Sequence, residues 1–239
     1  MPVDYAQIHA SLSSPKLQAY KNPLGYTGNA NAVKAYYLLG DVSQHLFAPL
    51  QLIELALRNI TNTALIKKTG KNNWYDTIPI HPVSINHVID AKSRAARDLQ
   101  GKRIPLPDDI VSRLPFGFWI SIYDEPYRDQ TKPNFIWDPK TRASAFPNIP
   151  HSLTFKLLHA RLSTSNQLRN RLFHHEPVWK SNKIKTLDDA VKIIHLRYGE
   201  LLETLSWLSP EAKNLLLAWG FEGRFNMACQ NDRFDRPLW

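Results

Sequence analysis

Apolar residues recur at steps of three and four through Leu39, Val42, Leu46, Leu50, Ile53, Leu57, Ile60 and Ala64. That spacing lays one stripe along a 3.6-residue period and predicts helix over 31–68. Pro49 removes one backbone donor, so the helix is expected to kink or divide there. Gly70 reads as its stop, with Lys67 and Lys68 in the last turn, where the helix end favours cations. A second stripe, Leu187, Val191, Ile194, Tyr198, Leu201, Leu205 and Leu208, predicts helix over 187–208, opened by a Thr186/Asp189 capping box.

Weaker patterns fill the intervals. Helices are expected at 83–100 and 107–123, and a further one at 150–175 on Leu153, Leu157, Leu158, Leu162, Leu168 and Leu172. Ser163-Thr164-Ser165-Asn166 weakens that last helix, and Thr164 with Gln167 can cap a new one. Residues 1–29 read as one or two short helices, with Ser14 as N-cap before Pro15, and then a loop. Residues 71–82 form a connector. The prolines of 124–149 mark a long irregular loop, held down by Tyr127, Phe135 and Trp137. A short helix from Ser209 through Trp219 leads to a tail with Phe225, Phe234 and Trp239. The elements predict an all-α fold in one domain, with 1–29 as a helical extension and 209–239 as a C-terminal tail.

Composition narrows the class. An apolar fraction of 43% over 239 residues is enough for a sizeable core. No apolar run is long enough to span a bilayer, so no membrane partner is expected. The opening Met1-Pro2-Val3-Asp4-Tyr5 has no secretory-signal character, and the lone Cys229 suits a reducing compartment. Both point to the cytoplasm. Cys229 itself reads as a partly buried small residue. A formal charge of +9 points to a polyanionic partner, RNA or DNA.

The candidate chemistry lies in Leu168-Arg169-Asn170-Arg171-Leu172-Phe173-His174-His175-Glu176-Pro177. It holds a permanent cation, an amide and an imidazole within about two helical turns. Metal-free phosphodiester cleavage needs a fixed positive charge for the phosphate and a group that exchanges protons near neutrality. Pro177 disfavours helix at Glu176, which puts His174 and His175 at the helix end. His174 lies five positions after Arg169, about 140° around the axis and about 7.5 Å along it. One helix therefore does not close a site, whereas two copies across a dimer axis bring two Arg–His sets to one phosphate.

The string LRNRLFHHEPVW resembles the signature of Abi-like proteins, the abortive-infection group of the HEPN superfamily. Leu50–Asn59 resembles that family's first long helix, Leu114–Trp119 its Phe-Gly-Phe-Trp segment, and Ala145–Asn148 the link into the motif helix. The blocks fall in family order. The resemblance implies a HEPN-type helical bundle with additional helices, acting as a metal-independent endoribonuclease. It also implies a homodimer and a toxin or phage-defence role, with an antitoxin protein or small RNA as a further partner. Arg169, Asn170 and His174 carry over as catalytic residues. His175 is either the second proton-transfer group or an anchor for the helix end.

Secondary contacts are expected from Arg171 and from Glu54, Arg58 and Asn59. Glu54 and Arg58, four apart, suit a solvated ion pair. Alternatively Arg58 and Asn59 lie beside the motif helix as an RNA or structural contact. Lys92, Arg94 and Arg97 form a basic face, either solvated or laid along a phosphate backbone. The aromatic run Phe116–Ile122 reads as core or dimer contact, with a base-stacking platform as the other reading. Two further functions compete with cleavage at the motif. One is a non-catalytic RNA- or nucleotide-binding module of a defence complex. The other is a metal site at His174-His175-Glu176, disfavoured because consecutive helical residues point about 100° apart. The sequence holds no nucleophile elbow and no phosphate-cradling glycine loop, and no cofactor or metal is expected.

Overall fold

The computed structural model describes residues 5–230, and those residues are α-helical with no strand among them. In chain order the helices are α1 (Tyr5–Leu12), α2 (Ser14–Gln18), α3 (Asn29–Gln44), α4 (Phe47–Thr69) and α5 (Pro82–Leu99). Then come α6 (Pro107–Val111), α7 (Phe116–Ser121), α8 (Glu125–Arg128) and α9 (Pro139–Ala145). The last four are α10 (Phe155–Phe173), α11 (Leu187–Leu208), α12 (Pro210–Ala218) and α13 (Phe221–Ala228). The all-α expectation holds. The chain forms two compact units. The first holds residues up to Gln51, Gln167–Glu203 and those from Glu211 onward; the second holds Leu52–Asn166 and Thr204–Pro210.

In the first unit α3 packs on α1, α2 and α13. Leu39, Val42 and Leu46 of the predicted stripe are buried, together with Leu17, Tyr20, Trp179, Ile194 and Phe225. Phe225 stacks on Tyr198 with ring centroids 4.0 Å apart and also meets the rings of His45 and His195. The Thr186/Asp189 capping box forms as read. The Asp189 amide donates to Thr186 Oγ1, and the Thr186 amide to Asp189 Oδ2, each at 3.1 Å.

The second unit is organised around aromatic rings. Trp74, Phe118, Trp119, Tyr123, Trp137, Phe146 and Phe155 are all buried and touch one another in edge-on, tilted or stacked pairs. Their polar atoms are satisfied. Trp74 Nε1 donates to Asn62 Oδ1 and Trp137 Nε1 to the Ile122 carbonyl, both at 2.8 Å. The Thr61 hydroxyl donates to the Leu57 carbonyl, so in its 2.6 Å contact with Tyr123 the phenol is the donor. The aromatic run is thus core. α5 packs on α6 and α7 in this unit. Its basic face is partly engaged: Lys92 pairs with Asp76, and Arg94 donates to the Arg113 carbonyl.

Several boundaries differ from expectation. The 31–68 helix divides three residues before Pro49, at His45-Leu46, so the proline falls in the first turn of α4, where a backbone donor is not needed. The N-cap of α2 is Ser13, not Ser14, and its side chain makes no capping hydrogen bond. The 107–123 helix is two helices, because Pro115 holds an extended conformation (φ −73°, ψ 160°) as N-cap of α7. The long loop at 124–149 is interrupted by α8 and α9, and the tail contains α13, which buries Phe225. Phe234 and Trp239 lie outside the described residues. α10 runs unbroken through Ser163–Asn166. There Thr164 and Ser165 return their hydroxyls to the carbonyls of Ala160 and Arg161, which satisfies them without a new cap.

Candidate functional site

Leu168 buries its side chain in the first unit and fixes the rotation of the last turns of α10. With that face inward, Asn170, Arg171, Phe173 and His174 are exposed and Arg169 is half-buried. The helix ends in a Schellman closure. The Glu176 amide donates to the Arg171 carbonyl at 2.7 Å, and the His175 amide to Leu172 at 3.1 Å. His175 occupies the left-handed position of this closure with φ 54°, a place glycine usually takes. Pro177 follows, as helix-end chemistry favours.

Two neighbours on its own helix contact Arg169. Its guanidinium lies over the Phe173 ring, 4.5 Å from the centroid, and Nη1 reaches Asn170 Oδ1 at 3.4 Å. Asn170 therefore contacts the arginine through its amide oxygen. The His174 and His175 rings make no hydrogen bond with any described residue. Phe173 also meets Phe47 at 5.7 Å, and these two rings are 51% and 44% exposed. A half-exposed aromatic pair beside the cation is a feature that spacing alone did not reveal.

Glu54, Arg58 and Asn59 belong to the second unit, whereas Arg169 through Glu176 belong to the first. Within its own unit Arg58 turns to its neighbour, Nε donating to Asn59 Oδ1 at 3.4 Å. The second unit also holds a basic cleft of about 310 Å³ lined by Lys67, Lys68, Lys140 and Ser144. Lys67 donates to Ser144 there, and Lys68 pairs with Asp138 at 2.7 Å. The Lys68 ammonium, with the Thr141 amide, holds the Asp138 carboxyl well below the usual range.

Against the closing turn of α10 lies a groove of about 450 Å³, wholly within the first unit. Leu172, His175 and Glu176 form one side, and α3 forms the other with Tyr36, Tyr37, Gly40, Asp41, Ser43 and Gln44. Those α3 positions repeat at three and four, so they share one helical stripe next to the buried one. Tyr20 closes the groove. Burial pushes its phenol well above the ordinary tyrosine range, and nearby Tyr36 adds to the shift. The sequence signal for this wall is the doublet pattern 36/37, 40/41, 43/44, which the apolar stripe overshadows.

No known family, curated protein or solved structure matches the chain.

Proposed function

We propose that this chain is a metal-independent, HEPN-type endoribonuclease that acts as a homodimer. The observation that carries the proposal is the end of α10, where a guanidinium in contact with Asn170 and Phe173 lies five residues before an exposed imidazole that makes no hydrogen bond with any described residue. The RNA 2′-hydroxyl attacks its own phosphorus, and His174, or its copy in the second subunit, takes the proton. The bond from phosphorus to the 5′-oxygen then breaks, and that oxygen receives a proton from a second imidazole, that of His175 or of His174 in the other subunit. Arg169 presents its planar fork to the phosphate oxygens as charge builds. The half-exposed Phe47–Phe173 pair supports pairing of two copies beside this turn, since exposed apolar contacts mark interaction surfaces.

The resemblance of four sequence blocks to Abi-like proteins supports a cytoplasmic toxin or phage-defence effector, restrained by an antitoxin protein or a small RNA. No helix among the described residues is long and apolar enough to cross a membrane. The test incubates purified protein with total RNA in EDTA and examines the fragment ends. Cyclic 2′,3′-phosphates are expected, and they vanish in Arg169→Ala and His174→Ala. His174→Ala keeps most RNA binding, whereas Arg169→Ala weakens binding too. RNA that is retained but never cut would replace this reading with a binding module.

A further inference from the structure

The groove between α3 and the closing turn of α10 has a composition unlike that of a phosphate site. None of its lining residues is Lys or Arg. What it offers is aromatic surface, acceptors and space. Tyr37 is 56% exposed, and Tyr36 braces it edge-on at 5.4 Å. Gly40 opens the floor, where a β-carbon would meet no atom within 4 Å. The Asp41 carboxylate is occupied by the Gln44 amide, but the Glu176 carboxylate accepts no hydrogen bond from any described residue. A volume of about 450 Å³ is in the range of small-molecule sites and suits a base with part of its ribose.

We propose that this groove binds a guanine base. The inference rests on the endoribonuclease reading for its biological ligand, a guanosine flanking the cleaved bond. A carboxylate is an acceptor only and places two oxygens side by side. Among the four RNA bases, guanine alone presents two adjacent donors, N1–H and the 2-amino group, on its pairing edge. Adenine and cytosine set a lone-pair nitrogen beside their single amino group, and uracil flanks its one N–H with two carbonyls. Against Glu176 those three leave an acceptor facing an acceptor. Tyr37 supplies a face for the base to stack on, worth about 1–3 kcal/mol in single-stranded recognition generally. His175, in its left-handed conformation, and Glu176 both line the groove. The phosphates remain outside, where Arg169 and Arg171 stand.

Equilibrium dialysis of GMP, AMP, CMP, UMP and IMP against the full chain tests the pocket without requiring cleavage. GMP is expected to bind at least about tenfold more tightly than AMP, CMP or UMP, the effect of one charge-assisted hydrogen bond. IMP, which lacks the 2-amino group, is expected to lose about tenfold against GMP. Glu176→Gln should abolish the preference. Gly40→Leu should abolish binding of every nucleotide with an unchanged or raised thermal midpoint, since the added side chain fills open space on a helix. Equal binding of all bases, no binding of any, or a preference that survives Glu176→Gln overturns the proposal.

A second arm separates a guanine in a strand from a free nucleotide. Oligoribonucleotides with one guanosine are compared with counterparts carrying adenosine there. Cutting confined to the guanosine strand supports the strand as the source. A GMP preference with equal cutting of both strands overturns that source and makes the groove a nucleotide site. A GMP preference with no cutting at all upholds the pocket and removes the nuclease reading instead.

Discussion

The aromatic centre of the second unit and the closing turn of α10 in the first are held in contrasting ways. In the aromatic centre, Trp74, Tyr123 and Trp137 are buried and each polar atom has a partner at 2.6–2.8 Å. At the turn, Asn170, Arg171, His174 and His175 are exposed, and the two imidazoles make no hydrogen bond with any described residue. Burial makes an unsatisfied group costly, so core polar atoms are locked. Exposure leaves side chains that can rearrange around a ligand. Damage in the first region should therefore appear as lost stability, and damage in the second as lost function with the fold intact.

Two substitutions set this contrast at its widest. His174→Ala is expected to lower RNA cleavage by about 10² to 10⁴. It should shift stability by no more than about 0.5 kcal/mol, as for an exposed residue. Trp119→Ala, at a fully buried position, should cost about 3–5 kcal/mol in urea unfolding. If His174→Ala unfolds the protein as readily as Trp119→Ala, the division of roles between the regions fails.

Two tyrosines sharpen the comparison at a smaller scale. Tyr123→Phe removes a made hydrogen bond and should cost about 1 kcal/mol. Tyr198 in the first unit has a buried hydroxyl with no hydrogen-bond partner among the described residues, so Tyr198→Phe should be neutral or stabilising at pH 7. Unfolding curves for the two variants, run side by side, decide the matter.

The same Tyr198 carries a pH signature. Burial, reinforced by Glu222, pushes its phenol up to about 12, and burial with Asp76 does the same for Tyr75 in the second unit. A raised folded-state value means that the folded protein holds these protons where the unfolded chain has lost them. Their stabilisation is complete below about pH 10 and disappears as the pH rises toward about 12. Thermal midpoints measured from pH 8 to 12 should fall across that window, and less steeply in Tyr198→Phe.

The smallest expected effect concerns His175. Its left-handed backbone is strained for a residue with a β-carbon, so His175→Gly should raise stability by about 0.5–1 kcal/mol. Unchanged cleavage in that variant assigns His175 to the helix end, whereas a loss comparable to that of His174→Ala makes it the second proton-transfer group.

Much of the helical plan was legible in the chain. The stripe from Leu39 to Ala64, the stop at Gly70, the Thr186/Asp189 box and the placement of His174 and His175 at a helix end all appear where local patterns put them. Where such reasoning failed, a distant contact outweighed a local preference. α10 continues through four weak helix formers because Leu162 and Leu168 are buried on either side of them, while the Thr164 and Ser165 hydroxyls are satisfied by carbonyls of the preceding turn. α13 forms in a stretch without a clear stripe because Phe225 finds Tyr198.

The sequence by itself determined that the protein is helical, where most long helices stop, and that a cation, an amide and an imidazole share one short segment. These properties depend on neighbours within about four residues, the reach of a helical turn. Tertiary structure alone decided that Tyr36, Tyr37 and Gly40 face Glu176 across a groove, and that Phe47 meets Phe173 beside Arg169. Those pairs lie more than a hundred residues apart in the chain, and only folding brings them within reach of one another.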